Sequence, residues 1–219
     1  MPDPITFTLD TPDGPRHGLV DLPAAPGERP VIVILPDSSG LLDWAFLPYL
    51  ATLLAARGFV AVRIDGEPGD LPALLDPLLE AIGGGDRAIA PGRVDPSRLG
   101  LFGHGRGGSA TVLTAALPEW HHRSGALVTW ATPEEPALEA ASRIAAPWLL
   151  VHGEVDATVP VAAAERLFAA ARGPRRKLHL LPVPGGDHTF GARHPWTGPT
   201  PALIQALNAT QRWFRRHLS

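Results

Sequence analysis

Cysteine is absent from the 219 residues, which excludes disulfides, thiolate metal sites and a cysteine nucleophile. An excess of positive charge is also missing, with a formal net charge of -3 and an isoelectric point near 6.3. A nucleic-acid surface needs a basic stripe to displace counterions from phosphates. The one dense basic cluster, Arg172 to Lys177, reads instead as the coat of a helix end. No apolar run approaches the roughly 18 residues of a membrane span, and no charged start followed by an apolar stretch marks a leader. A cytoplasmic protein without nucleic-acid or membrane partners is expected.

Proline (25) and glycine (23) are abundant, and the apolar fraction of 45% is that of an ordered globule with many loops. The length suits one α/β domain spanning 1–219. "ITFTL" at 5–9 and "HGLVDL" at 17–22 flank the turn-rich "DTPDGPR" and predict an antiparallel hairpin at a sheet edge. Buried-type strands then alternate with helices: "VIVIL", "FVAVRI", "RLGLFG", "GALVTW", "PWLLVHG" and "KLHLLPV". The intervening helices include "DWAFLPYLATLLAARG", with Trp44 on its apolar face, and the proline-interrupted "GDLPALLDPLLEAIGGG". The last helix places Leu203, Leu207, Thr210, Phe214 and Leu218 on one face. This alternation predicts a mostly parallel, doubly wound sheet with helices on both faces.

The stretch 99–108, "LGLFGHGRGG", reads two ways. Gly103, Gly105 and Gly108 spell G-x-G-x-x-G, the dinucleotide fingerprint, which also needs an acid at the end of the next strand to bind ribose. That strand ends "VTWAT", with Glu134 and Glu135 beyond it, and two βα units precede a motif that normally opens the sheet. No nicotinamide, flavin or other cofactor is therefore expected. With serine at 105 the stretch becomes G-x-S-x-G, a nucleophile elbow, which is followed along the chain by an acid and then a histidine. "LLVHGEVDATVP" puts Asp156 just past one strand, and "LLPVPGGDHTF" puts His188 just past the last.

Three motifs, "VDPSRLGLFGHGRGG", "VHGEVDATVP" and "GGDHTF", resemble the α/β-hydrolases of the dienelactone hydrolase and prolyl oligopeptidase-like branch, and the resemblance covers nearly all of the chain. It implies an α/β-hydrolase fold with a minimal lid, acting on a small-molecule ester or lactone. It also implies Asp156 as the triad acid and His188 as general base. The oxyanion donors it implies are the backbone N–H groups of Arg106 and of Ser38, the latter in "LPDSSG", a loop that departs from the branch's usual His-Gly form.

The decisive departure is Gly105, which has no side chain to attack a carbonyl. Loss of a serine nucleophile costs roughly a millionfold in turnover. A natural loss and an inactivating substitution both account for the glycine, and a ligand-binding pseudo-hydrolase that holds an ester, lactone or carboxylate is the alternative to an enzyme. Ser38, Ser39 and Ser109 are candidate substitute nucleophiles. Their plainer readings are loop caps for the first two and, for Ser109, a helix serine bonding its own backbone. A water in the vacated serine space, activated by His188, is a further route.

Metal ligation is not expected. His121 and His122 are adjacent, a spacing that turns their rings apart on a helix, and Asp187, His188 and His194 match no ligand spacing. Asp187 reads as loop-forming, and His104 and His152 as structural hydrogen-bonding residues. Trp130 ends a strand, Trp148 reads as core and Trp196 as a substrate-pocket wall, while the segment 131–146 is too short for a large lid.

Overall fold

The computed structural model describes residues 3–66, 69–85, 88–173 and 177–219. The centre of the basic cluster, 174–176, lies outside the described residues. The hairpin strands are β1 (Ile5–Leu9) and β2 (Arg16–Asp21), followed by β3 (Arg29–Leu35), α1 (Leu47–Ala56), β4 (Val60–Ile64), α2 (Leu71–Gly83), β5 (Val94–His104) and α3 (Arg106–Ala115). Next come β6 (Ser124–Trp130), α4 (Leu138–Ala141), β7 (Trp148–Gly153), α5 (Val161–Ala171), β8 (Leu178–Val183) and α6 (Pro201–Leu218). The strands form one sheet of eight in the order β1-β2-β4-β3-β5-β6-β7-β8. β1 and β2 run antiparallel, and every pairing from β4 to β8 is parallel.

Side-chain alternation divides β3 between two cores. Val31, Val33 and Leu35 face the layer formed by α2, α3, α4 and α5, while Ile32 and Ile34 face α1 and α6. Both faces of the central strands are covered, which is why their sequences are apolar throughout rather than alternating. The five α6 residues expected on one face are all buried. Thr200 caps this helix by accepting from the Leu203 N–H at 3.1 Å, with Pro201 in the first turn. Two of the buried indoles find partners in the sheet and α6: Trp130 Nε1 donates to Thr210 Oγ1 and Trp148 Nε1 to Thr129 Oγ1, each at 3.0 Å.

Three local expectations need correction. Trp44 precedes α1 instead of sitting on it, because Pro48 occupies the first turn and sets the helix start. α2 runs through Pro77 without interruption: the proline is on the solvent face, while Leu71, Leu74, Leu75, Leu78, Leu79 and Ile82 anchor the opposite face in the core. The short helix α4 was not foreseen, since four residues carry no helical period.

Phe214 and Leu218 press directly on the backbone of β5 at Gly100, where a β-carbon would come within 2.8 Å of Leu218 Cδ1 and 2.9 Å of Phe214 Cε1. Phe214→Ala is expected to lower unfolding free energy by about 3–5 kcal/mol. Ile204→Ala, at a 45% exposed position of the same helix, should stay within about 0.5 kcal/mol. Urea unfolding of the two variants checks this, and equal losses would contradict the assignment of α6's buried face.

Candidate active site

The carboxyl ends of β3, β5, β7 and β8 converge, the place where open parallel sheets bind ligands. β5 ends at His104 and α3 begins at Arg106, so the chain reverses at a single residue, Gly105, with φ 54° and ψ -124°. A non-glycine residue in such a conformation is strained by about 1–3 kcal/mol. Close packing shapes the turn as well: a β-carbon on Gly107 would lie 2.7 Å from the Leu35 carbonyl oxygen. The N–H of Gly105 donates to the Trp130 carbonyl at 2.9 Å, fixing the turn to β6.

Past β7, the Asp156 carboxylate is buried and fully engaged. Oδ1 accepts from the N–H groups of Thr158 and Val159, both at 2.8 Å, and Oδ2 lies 2.9 Å from His188 Nδ1. A hydrogen bond there requires the proton on Nδ1, leaving Nε2 of neutral His188 as the basic nitrogen. The His188 loop is held from below. Asp187 Oδ1 accepts from the N–H groups of Thr189 and Gly191 at 2.9 and 2.7 Å, and the Thr200 hydroxyl donates to the Phe190 carbonyl at 2.5 Å. Burial works to raise the Asp187 pKa, but the Gly191 and Thr189 N–H groups and the Thr189 hydroxyl, which donates to Oδ1 at 3.0 Å, prevail and hold it below the usual carboxylate range.

Two further histidines brace the pair. His104, buried under the site, donates from Nε2 to the His188 carbonyl at 2.9 Å, and its ring centroid is 4.9 Å from that of His188. Burial pushes its pKa down to about 4, against partial support from the His188 carbonyl. His152 Nε2 donates to the Val159 carbonyl at 2.8 Å, and burial lowers its pKa too. Both rings hold loops in place through backbone carbonyls.

Asp37, in the loop after β3, is the residue that sequence reasoning missed. A β-carbon on Gly105 would overlap its carboxylate, lying 2.5 Å from Cγ. Asp37 Oδ1 accepts the Arg106 N–H at 2.7 Å, and Arg106 Nε donates to the Asp37 carbonyl at 3.1 Å. The N–H expected to serve an oxyanion is thus engaged by a carboxylate of the same chain. The space that the water route would use holds this side chain instead. The departure of "LPDSSG" from the His-Gly form was the available signal.

Asp37's loop is itself anchored by Arg63 on β4, which is 1% exposed. Arg63 donates to the Leu42 carbonyl at 2.9 Å, to Asp43 Oδ1 at 2.6 Å and to Asp21 Oδ2 at 3.2 Å. Burial raises the Asp21 pKa, partly offset by Arg63. The Gly40 N–H adds a bond to Asp65 Oδ1 at 2.8 Å.

The alternative nucleophiles are placed less favourably. Ser109 Oγ donates to the Pro133 carbonyl at 3.0 Å, across to the segment after β6, a correction to the expectation that it bonds its own helix. Ser38 is half-buried and Ser39 exposed. Trp196 lies against Tyr49 of α1, with ring centroids 5.2 Å apart and planes inclined at 33°, and remains 37% exposed. His121 and His122 lie in a turn, not a helix, so their rings meet edge to face at 4.7 Å instead of pointing apart.

The dienelactone hydrolase family matches residues 87–218. Among solved structures, the chain is similar to a dienelactone hydrolase from Anabaena variabilis, with a TM-score of 0.77 and 20% identity over 100% of this chain and 99% of that one. It is also similar to Est1E from Butyrivibrio proteoclasticus, with a TM-score of 0.75 and 15% identity over 97% of this chain and 98% of that one. In sequence it is 25% identical to Cutinase 2 of Thermobifida cellulosilytica over 191 residues, 80% of this chain and 66% of that protein. The fold is the α/β-hydrolase fold. Among the described residues, no helix is long and apolar enough to cross a membrane.

The burial of His104 gives the site a pH signature. A histidine titrates near 6.5 in an unfolded chain and at about 4 here, so between these values the unfolded state binds the extra proton. Stability therefore falls as pH drops through this window, by about 3 kcal/mol in full. His104→Gln should flatten the slope of unfolding free energy between pH 6.5 and 4 relative to the parent. An unchanged slope in denaturant titrations at several pH values would exclude this origin.

Proposed function

The chain belongs to the dienelactone hydrolase family, and from that premise we propose that it is a small-molecule hydrolase site in which residue 105 forms no covalent bond to substrate. The observation that carries this reading is the Asp156–His188 contact of 2.9 Å, with the second carboxylate oxygen saturated by two backbone N–H groups. Such an aspartate fixes the histidine tautomer and stabilises the imidazolium that forms when Nε2 takes a proton. His188 is the general base and Asp156 its orienting acid. Arg106 and Ser38 border the oxyanion position, and Trp196 is the candidate wall for substrate.

Carboxylic esters and lactones are the substrates suggested by the relatives' names, but the acyl-enzyme route needs a side chain at 105. As it stands the chain is expected to be inert, or nearly so, towards them. The pseudo-hydrolase reading, with a bound carboxylate or ester, is disfavoured by Asp37, whose negative oxygen already takes the Arg106 N–H that such a ligand would use.

Restoring the serine tests the reading. Gly105→Ser alone must displace the Asp37 carboxylate, so its hydrolysis of p-nitrophenyl acetate should rise only modestly above the parent. Gly105→Ser with Asp37→Gly frees the N–H and should exceed the single variant by roughly 10²–10³, the worth of one oxyanion donor. The serine should also lower stability by about 1–3 kcal/mol through strain at the turn. If both serine variants are as inert as the parent although folded, the Asp156–His188 pair does not belong to a working hydrolase site. Fluorophosphonate labelling of the parent at Ser38, Ser39 or Ser109 would also overturn the proposal, by identifying a substitute nucleophile.

A further inference from the structure

An oxygen with nucleophilic character stands beside Gly105 even without a serine. The Asp37 carboxylate fills the space that a side chain at 105 would take, and Arg106 N–H holds its Oδ1 at 2.7 Å. We propose that Asp37 is the covalent nucleophile of this site, and that its substrates are small molecules with a leaving group on a saturated carbon. The inference rests on the reading of His188 and Asp156 as a working base and its orienting acid.

The substrate class follows from what a carboxylate can do. Attack on an ester carbonyl would give a mixed anhydride, more reactive than the ester consumed, so the step runs uphill. Attack on a saturated carbon gives an ordinary alkyl ester. Arg106 N–H engages Oδ1, which leaves Oδ2 to form the new bond to carbon while the leaving group departs with its electron pair. Carboxylate nucleophiles that form covalent intermediates are well established.

The second half uses groups already in place. His188 Nε2 takes a proton from water, and the resulting hydroxide attacks Asp37 Cγ. Negative charge develops on Oδ1, the atom that already accepts the Arg106 N–H, and that donor at the start of α3 stabilises it. The tetrahedral species collapses with cleavage of the Cγ–Oδ2 bond as it stood after alkylation, and the departing alcohol takes the proton from the His188 imidazolium. The Asp37 carboxylic acid so formed releases its proton to solvent, and the aspartate is regenerated. In sum, water and the alkyl compound give an alcohol and the acid of the leaving group; with an epoxide the leaving oxygen stays on the alkyl chain, takes up that proton from solvent, and the product is a diol.

A carboxylate at a helix N-terminus also stabilises the helix without any chemistry. That simpler role accounts for Asp37 Oδ1 but gives no use to a histidine held by a saturated, buried aspartate close by. Asp37→Asn separates the two roles, because the amide oxygen can still accept the Arg106 N–H while the nucleophile is gone.

The test uses n-butyl bromide and butylene oxide as probes. In the His188→Gln variant the ester should accumulate, and peptide mass spectrometry should find the alkyl group on Asp37. Adding Asp37→Asn should reduce that labelling to background while thermal stability stays near that of His188→Gln. In the parent, turnover in water enriched in heavy oxygen should place the label in the Asp37 side chain. Unmodified Asp37 with both probes, or equal labelling in the Asp37→Asn background, overturns the proposal. The ester assay of the Gly105→Ser, Asp37→Gly variant probes His188 and Asp156 independently of Asp37. If that variant is active and Asp37 stays unmodified, only this inference fails; if both assays fail, the base-and-acid reading fails with it.

Discussion

The backbone reversal at Gly105 sets the terms for everything around it. With φ at 54°, β5 passes into α3 without an intervening loop, so the first N–H of the helix meets the Asp37 carboxylate at the end of the sheet. Close packing of Gly107 on the end of β3 brings the 36–40 loop alongside. Where most residues would be strained, glycine is at ease, and the space left by its missing side chain becomes available to a neighbour. Asp37 takes it. The same turn that presents a nucleophile in a serine enzyme here presents an N–H to a carboxylate.

That arrangement relies on a rigid frame. The buried Arg63 holds the Asp37 loop through the Leu42 carbonyl and Asp43, while Asp21 on β2 helps to neutralise it inside the sheet. A buried ion pair of this kind contributes little net stability but is costly to break, because one uncompensated charge would remain. The histidine loop is fastened separately, by Asp187, by His104 beneath it and by Thr200 at the start of α6. Asp37 and His188 therefore stand on loops that are each fastened by bonds to other parts of the fold.

Much of the architecture could be read from the chain. The hairpin, the alternation of apolar strands and helices and the buried face of α6 each depend on patterns within a few residues. Errors arose where distant packing outweighed a local signal. Pro77 should break a helix, yet the six apolar side chains on the opposite face of α2 keep it continuous. Ser109 should bond its own helix, yet its hydroxyl donates to the Pro133 carbonyl on the segment after β6. α4 has too few residues to carry a period at all.

By itself the sequence determined the layer order, the absence of a side chain at 105 and the presence of an acid and a histidine at successive strand ends. Composition, periodicity and chain order carry that information. Only the tertiary structure decided what fills the space at Gly105, because Asp37 and Arg106 are 69 residues apart and meet through the pairing of β3 with β5. A side chain's direction depends on the strands, turns and ion pairs that hold its loop, and no local pattern records their sum.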